Sequence, residues 1–168
     1  MNIVLCGMMG AGKTAVGEQL ANLLGCRWVD TDDLIVKSHG EIATIFERLG
    51  EEYFRGLETE TVKALVREAG LVISVGGGLV LKGENVSLLK SNGTIVYLRA
   101  SVETLAGRLQ ADTARPLLKG EEDLIEKLTN MLKTRAPIYE AVADLTVSVD
   151  EKSTEEIAQE IVAQWKKK

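Results

Sequence analysis

Cysteine is scarce in this sequence: Cys6 and Cys26 are the only two among 168 residues. Two cysteines cannot build the set of disulfides that holds a small secreted scaffold together. A chain of this length buries about 70% of the surface that it exposes when unfolded, so its fold needs neither disulfides nor a structural metal. The sequence therefore predicts one domain, residues 1–168, in the reducing cytoplasm.

Long apolar runs and an excess of positive charge are also missing. No apolar run approaches the ~18 residues that a membrane span requires. The first residues, Met1-Asn2-Ile3, carry no basic side chain, so we expect no cleaved signal peptide. The formal net charge is −5, whereas nucleic acids and membrane surfaces attract positively charged proteins. We therefore expect a soluble protein that binds neither nucleic acid nor a membrane.

The sequence does contain a regular alternation of short apolar runs with longer helical segments. Helical periodicity is clear in residues 14–24, and a charged helical stretch from about 32 to 68 is broken near Gly40 and Gly50. The apolar runs predict five strands, near residues 3–6, 27–29, 71–75, 94–98 and 145–149. Near-continuous apolar strands are typical of a parallel sheet that is covered on both faces. The predicted fold class is therefore α/β, with helices layered around a parallel sheet.

Residues 7–14, Gly-Met-Met-Gly-Ala-Gly-Lys-Thr, match the phosphate-binding pattern G-x-x-x-x-G-K-S/T. The match lies between a predicted strand and a predicted helix, which is where the mechanism requires it. Glycines let successive backbone N–H groups turn inward around a phosphate, and the helix N-terminus adds a favourable field. In this pattern Lys13 reaches the β- and γ-phosphates and the Thr14 hydroxyl ligates Mg²⁺. The pattern predicts that the chain binds a nucleoside triphosphate.

Acidic residues follow the second predicted strand rather than the third or the fourth. Asp30 and Asp32 are two residues apart, so in extended chain their side chains project to the same side. One carboxylate would then orient the shell of Mg²⁺ while the other faces a substrate hydroxyl. The same run is also suited to cap a helix N-terminus, and the two interpretations are compatible.

Three further features have both a functional and an ordinary interpretation. Residues 76–78 are three consecutive glycines after a buried strand, which indicates either close approach of the backbone to a ligand or a turn with positive φ. Arg55 and Glu58 share a helix face and form either a surface ion pair or part of a site. Arg108 and Arg115 belong either to an ordinary loop region or to a lid that closes over phosphates.

Taken together, these segments resemble shikimate kinases. The motifs that carry the resemblance are residues 7–14, Asp30-Thr31-Asp32, Gly50-Glu51 with Phe54-Arg55 and Glu58, residues 76–78, residues 115–118 and residues 135–139. The resemblance spans residues 1 to about 150 and implies a three-layer P-loop kinase fold with five parallel strands in the order 2-3-1-4-5. It also implies transfer of the γ-phosphate of ATP to the 3-hydroxyl of shikimate, a step in chorismate and aromatic amino-acid biosynthesis.

The resemblance implies roles for individual residues. Lys13, Asp32 and Arg115 would be catalytic, with Asp32 accepting the hydroxyl proton and Arg115 reaching the transferred phosphate from a lid at about 110–120. Thr14 and Asp30 would hold Mg²⁺. The nucleotide would be bound by Gly10, Ala11, Gly12, Lys13, Thr14, Ala15, Arg108, Arg115 and Lys152, with Arg108 stacked on the adenine. Shikimate would be bound by Asp32, Arg55, Gly77, Gly78 and Arg135, with a helical segment at about 32–60 contributing to its site. The enzyme would act as a monomer.

Two alternatives remain open. Another small-molecule P-loop kinase, of the gluconate or nucleoside-monophosphate type, would share the nucleotide site; a monophosphate acceptor would need additional arginines around its dianionic phosphate. A non-catalytic nucleotide-binding switch would need a partner surface and would tolerate loss of Asp32, Arg55 and Arg135. The joint presence of these three residues favours the kinase.

Overall fold

A computed structural model describes residues 1–112 and 121–168 of the chain. Its centre is a five-stranded sheet of β1 (Asn2–Cys6), β2 (Arg27–Asp30), β3 (Leu71–Ser74), β4 (Gly93–Arg99) and β5 (Leu145–Ser148). The strands are parallel and lie in the order β2-β3-β1-β4-β5. The five expected strands and the expected order are both confirmed.

Eight α-helices surround the sheet in the part of the chain that the structure describes, and a short 3-10 helix (Leu79–Leu81) follows the third strand. They are α1 (Lys13–Leu24), α2 (Thr31–His39), α3 (Ile42–Leu49), α4 (Glu51–Leu65), α5 (Gly83–Ser91), α6 (Val102–Asp112), α7 (Glu121–Val142) and α8 (Thr154–Lys166). All five residues of β1 are buried. Because successive side chains of a strand point to opposite faces, this burial shows that both faces of the sheet are covered. The layered α/β arrangement expected from the sequence is confirmed.

The charged segment between β2 and β3 forms three helices that are separated at the two predicted glycines. Gly40 ends α2, and Gly50 both ends α3 and precedes α4. Gly50 has φ 87°, a backbone conformation that favours glycine because it carries no Cβ. The three helices have a small apolar core of their own, formed by Ile35, Ile45 and Phe54. The helical segment that we expect to bind substrate therefore has its own packing unit beside the sheet.

The predicted lid falls largely on residues that lie outside the description. Residues 110–112 belong to the end of α6, whereas residues 113–120, including Arg115, are outside the described residues. The lid and the role of Arg115 stay predictions.

The two cysteines are both free thiols. Cys6 is buried on β1, and this burial raises the pKa of its thiol to about 12. Cys26 is half-buried before β2, which the sheet order separates from β1 by β3. Within residues 1–112 and 121–168, no helix has the length and apolarity needed to cross a membrane.

Candidate active site

A cavity of about 960 Å³ opens at the carboxyl ends of β1, β2 and β3. Ligands of parallel α/β sheets bind at this edge, where the loops after the strands meet. The cavity brings together most of the residues predicted from the sequence: Gly10, Gly12, Lys13, Thr14, Ala15, Asp30, Asp32, Arg55, Gly77, Gly78, Arg108 and Arg135. Segments far apart in the sequence therefore form one site.

The loop after β1 has the shape that phosphate binding requires. Gly10 and Gly12 have φ of 84° and 91°, in the left-handed region. A Cβ on Gly7 would lie 2.8 Å from the carbonyl oxygen of Leu98, so a larger residue cannot occupy this position without displacing backbone. Helix α1 begins at Lys13, directly after the loop. The predicted phosphate-binding loop is thus present with a helix N-terminus behind it.

Lys13 holds its ammonium group against this loop. The Nζ atom donates hydrogen bonds to the carbonyl oxygens of Gly7 at 2.7 Å and Met8 at 2.9 Å. Burial lowers the pKa of Lys13 to about 8, and the negative charges of Asp32 and Asp30 oppose that shift. The two hydrogen bonds hold the ammonium group of Lys13 beside the loop, where it can contact a bound phosphate.

Asp30 and Asp32 both line the cavity, but the expected extended geometry between them is wrong. Asp30 ends β2 and caps α2, where its side chain accepts a hydrogen bond from the Asp33 N–H at 3.1 Å. The helix begins at Thr31, so Asp32 lies in its first turn. The predicted helix cap and the predicted site therefore coexist. Burial raises the pKa of both carboxyl groups.

Each glycine of the triple-glycine turn, residues 76–78, lies against a different polar side chain. A Cβ on Gly76 would lie 2.9 Å from Oδ1 of Asp32. On Gly77 it would lie 3.2 Å from Nη1 of Arg135, and on Gly78 2.6 Å from both Nη atoms of Arg55. The three glycines do not have positive φ. Close approach to side chains, rather than turn conformation, explains why three glycines occur here.

The ion pair between Arg55 and Glu58 is part of the cavity and not of the open surface. Nη1 of Arg55 lies 2.6 Å from Oε1 of Glu58, whose side chain is only 1% exposed. Burial raises the pKa of Glu58, although Arg55 opposes the shift. Glu58 was given no role of its own from the sequence; its signals were its position three residues after Arg55 and its place in the motif shared with shikimate kinases.

Two buried carboxylate oxygens lie on the same side of Gly76. Oδ1 of Asp32 and Oε2 of Glu58 have no hydrogen-bond partner among the described residues. Each lies close to the position that a Gly76 Cβ would occupy, at 2.9 and 3.1 Å. Buried polar atoms without a partner are rare and need an explanation. Both residues line the cavity, so the region beside Gly76 is negatively charged and favours hydrogen-bond donors.

Arg108 and Lys152, the two cations expected near adenine, differ in position. Arg108 lines the cavity and donates from Nη1 to the carbonyl oxygen of Ala11 at 2.8 Å, while Ala11 itself is buried beneath the loop. The Nζ of Lys152 bonds Oε2 of Glu160 at 2.6 Å, and Lys152 is not part of the lining that the described residues form. Thr154, at the start of α8, reaches the cavity instead.

The donors for a magnesium ion fit the chemistry of that metal. Thr14 and Asp30 both line the cavity, and their hydroxyl and carboxylate would supply oxygen ligands. The described residues contain no group of three or more His, Cys, Asp or Glu side chains that could hold a metal alone. Mg²⁺ commonly takes one or two protein oxygens and completes its shell with water and phosphate.

Comparison with known proteins shows the family of the chain. The family model described as shikimate kinase matches residues 9–166. The shikimate kinase of Actinobacillus succinogenes is 43% identical over 162 residues, 96% of this chain and 93% of that protein. The shikimate kinase of Sulfurihydrogenibium sp. is 41% identical over 168 residues, 99% of each chain.

Solved structures show the same likeness. Shikimate kinase from Acinetobacter baumannii, solved in complex with shikimate, has a TM-score of 0.89 at 40% identity, covering 99% of this chain and 93% of that one. A gluconokinase from Sinorhizobium meliloti has a TM-score of 0.63 at 21% identity, a likeness of fold alone. The family model, the relatives and the close structural match agree, and the chain belongs to the shikimate kinase family.

Proposed function

We propose that this chain transfers the γ-phosphoryl group of ATP to the 3-hydroxyl of shikimate. The observation that carries the proposal is the convergence of Arg55, Arg135 and Asp32 on the triple-glycine turn, in the same cavity as the phosphate-binding loop. Shikimate offers a carboxylate for the two guanidinium groups and hydroxyls for the acid. One cavity thus contains a nucleotide half, around the phosphate-binding loop at residues 7–14, and an acceptor half, around the triple-glycine turn at residues 76–78.

In the nucleotide half, the loop backbone and Lys13 bind the phosphates. Backbone N–H groups and the α1 N-terminus are oriented before the reaction, so they stabilise developing charge without reorganisation. Mg²⁺, when bound at Thr14 and Asp30, would neutralise charge on the phosphate oxygens. We assign Arg108 to the adenine. Lys152, paired with Glu160, has less support for that contact.

In the acceptor half, the two arginines bind the carboxylate. A planar guanidinium matches a planar carboxylate through two parallel hydrogen bonds. Arg55 and Arg135 lie against consecutive glycines, 78 and 77, so their guanidinium groups approach the same stretch of backbone. Ile42, Phe46 and Phe54 add apolar surface to the lining, which suits the face of a carbon ring.

Asp32 receives the hydroxyl that is phosphorylated. Its carboxyl group lines the cavity, and burial raises its pKa, which makes the carboxylate a better proton acceptor. Phosphoryl transfer depends mainly on alignment and charge stabilisation, so a positioned acid and nearby cations suffice. We propose that Arg115 and the segment at about 110–120 close over the phosphates and exclude water.

The acceptor half also argues against a nucleoside monophosphate as substrate. Two largely buried carboxyl groups, those of Asp32 and Glu58, line this half. They attract hydroxyl donors, but they repel a dianionic phosphate, which would have to be desolvated beside them. A hydroxylated carboxylic acid fits the charges better.

The site is complete within one copy of the chain as far as the described residues define it. This supports our proposal that the protein acts as a monomer, with residues 1–168 forming one kinase domain. A role in a biosynthetic pathway that uses ATP supports a location in the cytoplasm.

The acceptor assignment predicts a selective effect of Arg55→Ala. We expect shikimate affinity to fall about 30-fold, corresponding to about 2 kcal/mol for breaking a partly buried charge pair, with ATP affinity within about twofold of wild type. Arg55→Lys keeps the positive charge but cannot form the two parallel hydrogen bonds of a guanidinium group, so shikimate affinity should fall by less than in Arg55→Ala. Isothermal titration calorimetry with each ligand measures both affinities.

The control is Lys63→Ala on the same helix. Lys63 pairs with Glu60 at the same i, i+3 spacing, but both side chains are exposed. This variant should leave both affinities unchanged. Equal effects of the two variants on shikimate binding would show that Arg55 only pairs with neighbouring acids and does not bind shikimate.

A further inference from the structure

Tyr139 is a buried residue that the proposed mechanism does not use. It lies on α7 with 0% exposure, and its hydroxyl donates a hydrogen bond to the carbonyl oxygen of Gly77 at 2.5 Å. This distance is at the short end for an O–H···O bond. The bond joins α7 to the backbone of the triple-glycine turn, across 62 residues of sequence.

The ring of Tyr139 is fixed from the other side by the sheet. Its centroid lies 5.1 Å from that of Tyr97, a buried residue of β4. Rings at this separation attract each other beyond the burial of their area. The hydroxyl therefore belongs to a side chain that has little freedom to move, and it can hold Gly77 at a set position relative to the sheet.

Gly77 is also approached by Arg135, one helical turn before Tyr139. Residues four apart on a helix lie on the same face. Nη1 of Arg135 lies 3.2 Å, and the hydroxyl of Tyr139 3.6 Å, from the position that a Gly77 Cβ would occupy. One turn of α7 thus approaches Gly77 with two groups, the guanidinium of Arg135, which lines the cavity, and the hydroxyl of Tyr139.

Pro137 lies inside this same turn of α7. Proline has no N–H and removes one helical hydrogen bond, which loosens the turn around it. The hydrogen bond from the Tyr139 hydroxyl to the Gly77 carbonyl compensates for that lost bond, in the turn that carries Arg135. The contact with Gly77 therefore anchors this turn in addition to its own helical bonds.

We propose that Tyr139 is a positioning residue for the acceptor: its hydroxyl fixes the Gly77 peptide and thereby the distance between that backbone and the guanidinium of Arg135. The inference rests on the proposed function, because it assigns Arg135 and Gly77 to shikimate. The nucleotide half is affected little, since the hydroxyl lies 4.0 Å from Sδ of Met8, a weak acceptor.

The test compares Tyr139→Phe with Tyr97→Phe, which removes a hydroxyl from the other ring of the same buried pair. For Tyr139→Phe we expect the KM for shikimate to rise about three- to tenfold, the range for loss of one hydrogen bond. The KM for ATP and kcat should stay within about twofold. Tyr97→Phe should leave all three values within that range.

Two further measurements separate positioning from general stability. Amide exchange should become faster in residues 76–79 of Tyr139→Phe and stay unchanged in β3 (Leu71–Ser74). In an Arg135→Lys background, Tyr139→Phe should raise the KM for shikimate by less than it does in wild type, because both changes disturb the same contact.

An unchanged KM for shikimate in Tyr139→Phe, with the wild type active, would overturn the inference and leave the proposed function intact. Failure of Tyr139→Phe to fold, or faster exchange throughout the sheet, would also overturn it, because Tyr139 would then serve the core. Absence of shikimate-dependent turnover in the wild type would instead contradict the proposed function. In that case, unchanged exchange in residues 76–79 of the variant would overturn the positioning role as well.

Discussion

Replacing Lys13 with alanine is expected to lower turnover about 100- to 1,000-fold and to leave the fold intact. The ammonium group lies on the phosphate-binding loop, bonded to the carbonyl oxygens of Gly7 and Met8. It can therefore stabilise charge on the transferred phosphoryl group, and loss of one such contact typically costs about 3–4 kcal/mol in the transition state. Initial rates of ADP release at saturating ATP and shikimate measure the effect.

Lys90→Ala is the control for Lys13→Ala. Lys90 belongs to α5 and pairs with Asp144 at 3.6 Å, and it is not part of the cavity lining. We expect wild-type turnover for this variant and a melting curve close to wild type for both. Near-normal turnover of Lys13→Ala would mean that the phosphates bind elsewhere.

Asp32→Asn is expected to reduce shikimate phosphorylation by about 100-fold or more while ATP binding survives. The asparagine has nearly the same shape but cannot accept the proton, and proton transfer by a positioned group is worth roughly 10²–10⁴ in rate. The variant also loses a negative charge that supports the ammonium of Lys13. Turnover is measured by ADP release, and ATP affinity by calorimetry in the presence of Mg²⁺.

The neighbouring acid provides a matched control. Asp33 is exposed on the same turn of α2, and its side chain is not part of the cavity lining. Asp33→Asn should therefore retain turnover. If Asp32→Asn weakened ATP and Mg²⁺ binding as much as it slowed turnover, Asp32 would belong to the metal site.

The phosphate-binding loop could be predicted from the sequence because its parts are local. The glycines, Lys13 and Thr14 occur within eight residues, between a strand and a helix that each have a clear pattern. The triple-glycine turn was recognised as unusual, but its cause lies elsewhere in the chain. Asp32, Arg135 and Arg55 reach these glycines from α2, α7 and α4. Such contacts depend on how the layers pack, which a local pattern does not contain.

At two acidic residues of the site, the structure adds what the sequence did not predict. The geometry between Asp30 and Asp32 was wrong because the helix begins at Thr31, and the boundary of a helix is hard to place from sequence. The sequence left open whether the Arg55–Glu58 pair lies on the surface or in a site, because the burial of Glu58 results from packing of α4 against the glycine turn. Arg135 entered the expected site only through the resemblance to shikimate kinases, since its surrounding sequence shows a helix and no ligand pattern.

The most direct measurement of the central claim is acceptor-dependent ADP release from ATP and Mg²⁺ by the wild-type protein. Shikimate, gluconate and a set of nucleoside monophosphates are offered in parallel at equal concentrations. We expect kcat/KM for shikimate to exceed that for each other acceptor by at least about 100-fold, because a site with buried polar groups strongly rejects acceptors that leave them unpaired. Turnover that does not depend on shikimate, or that is faster with gluconate or a nucleoside monophosphate, would contradict the assignment.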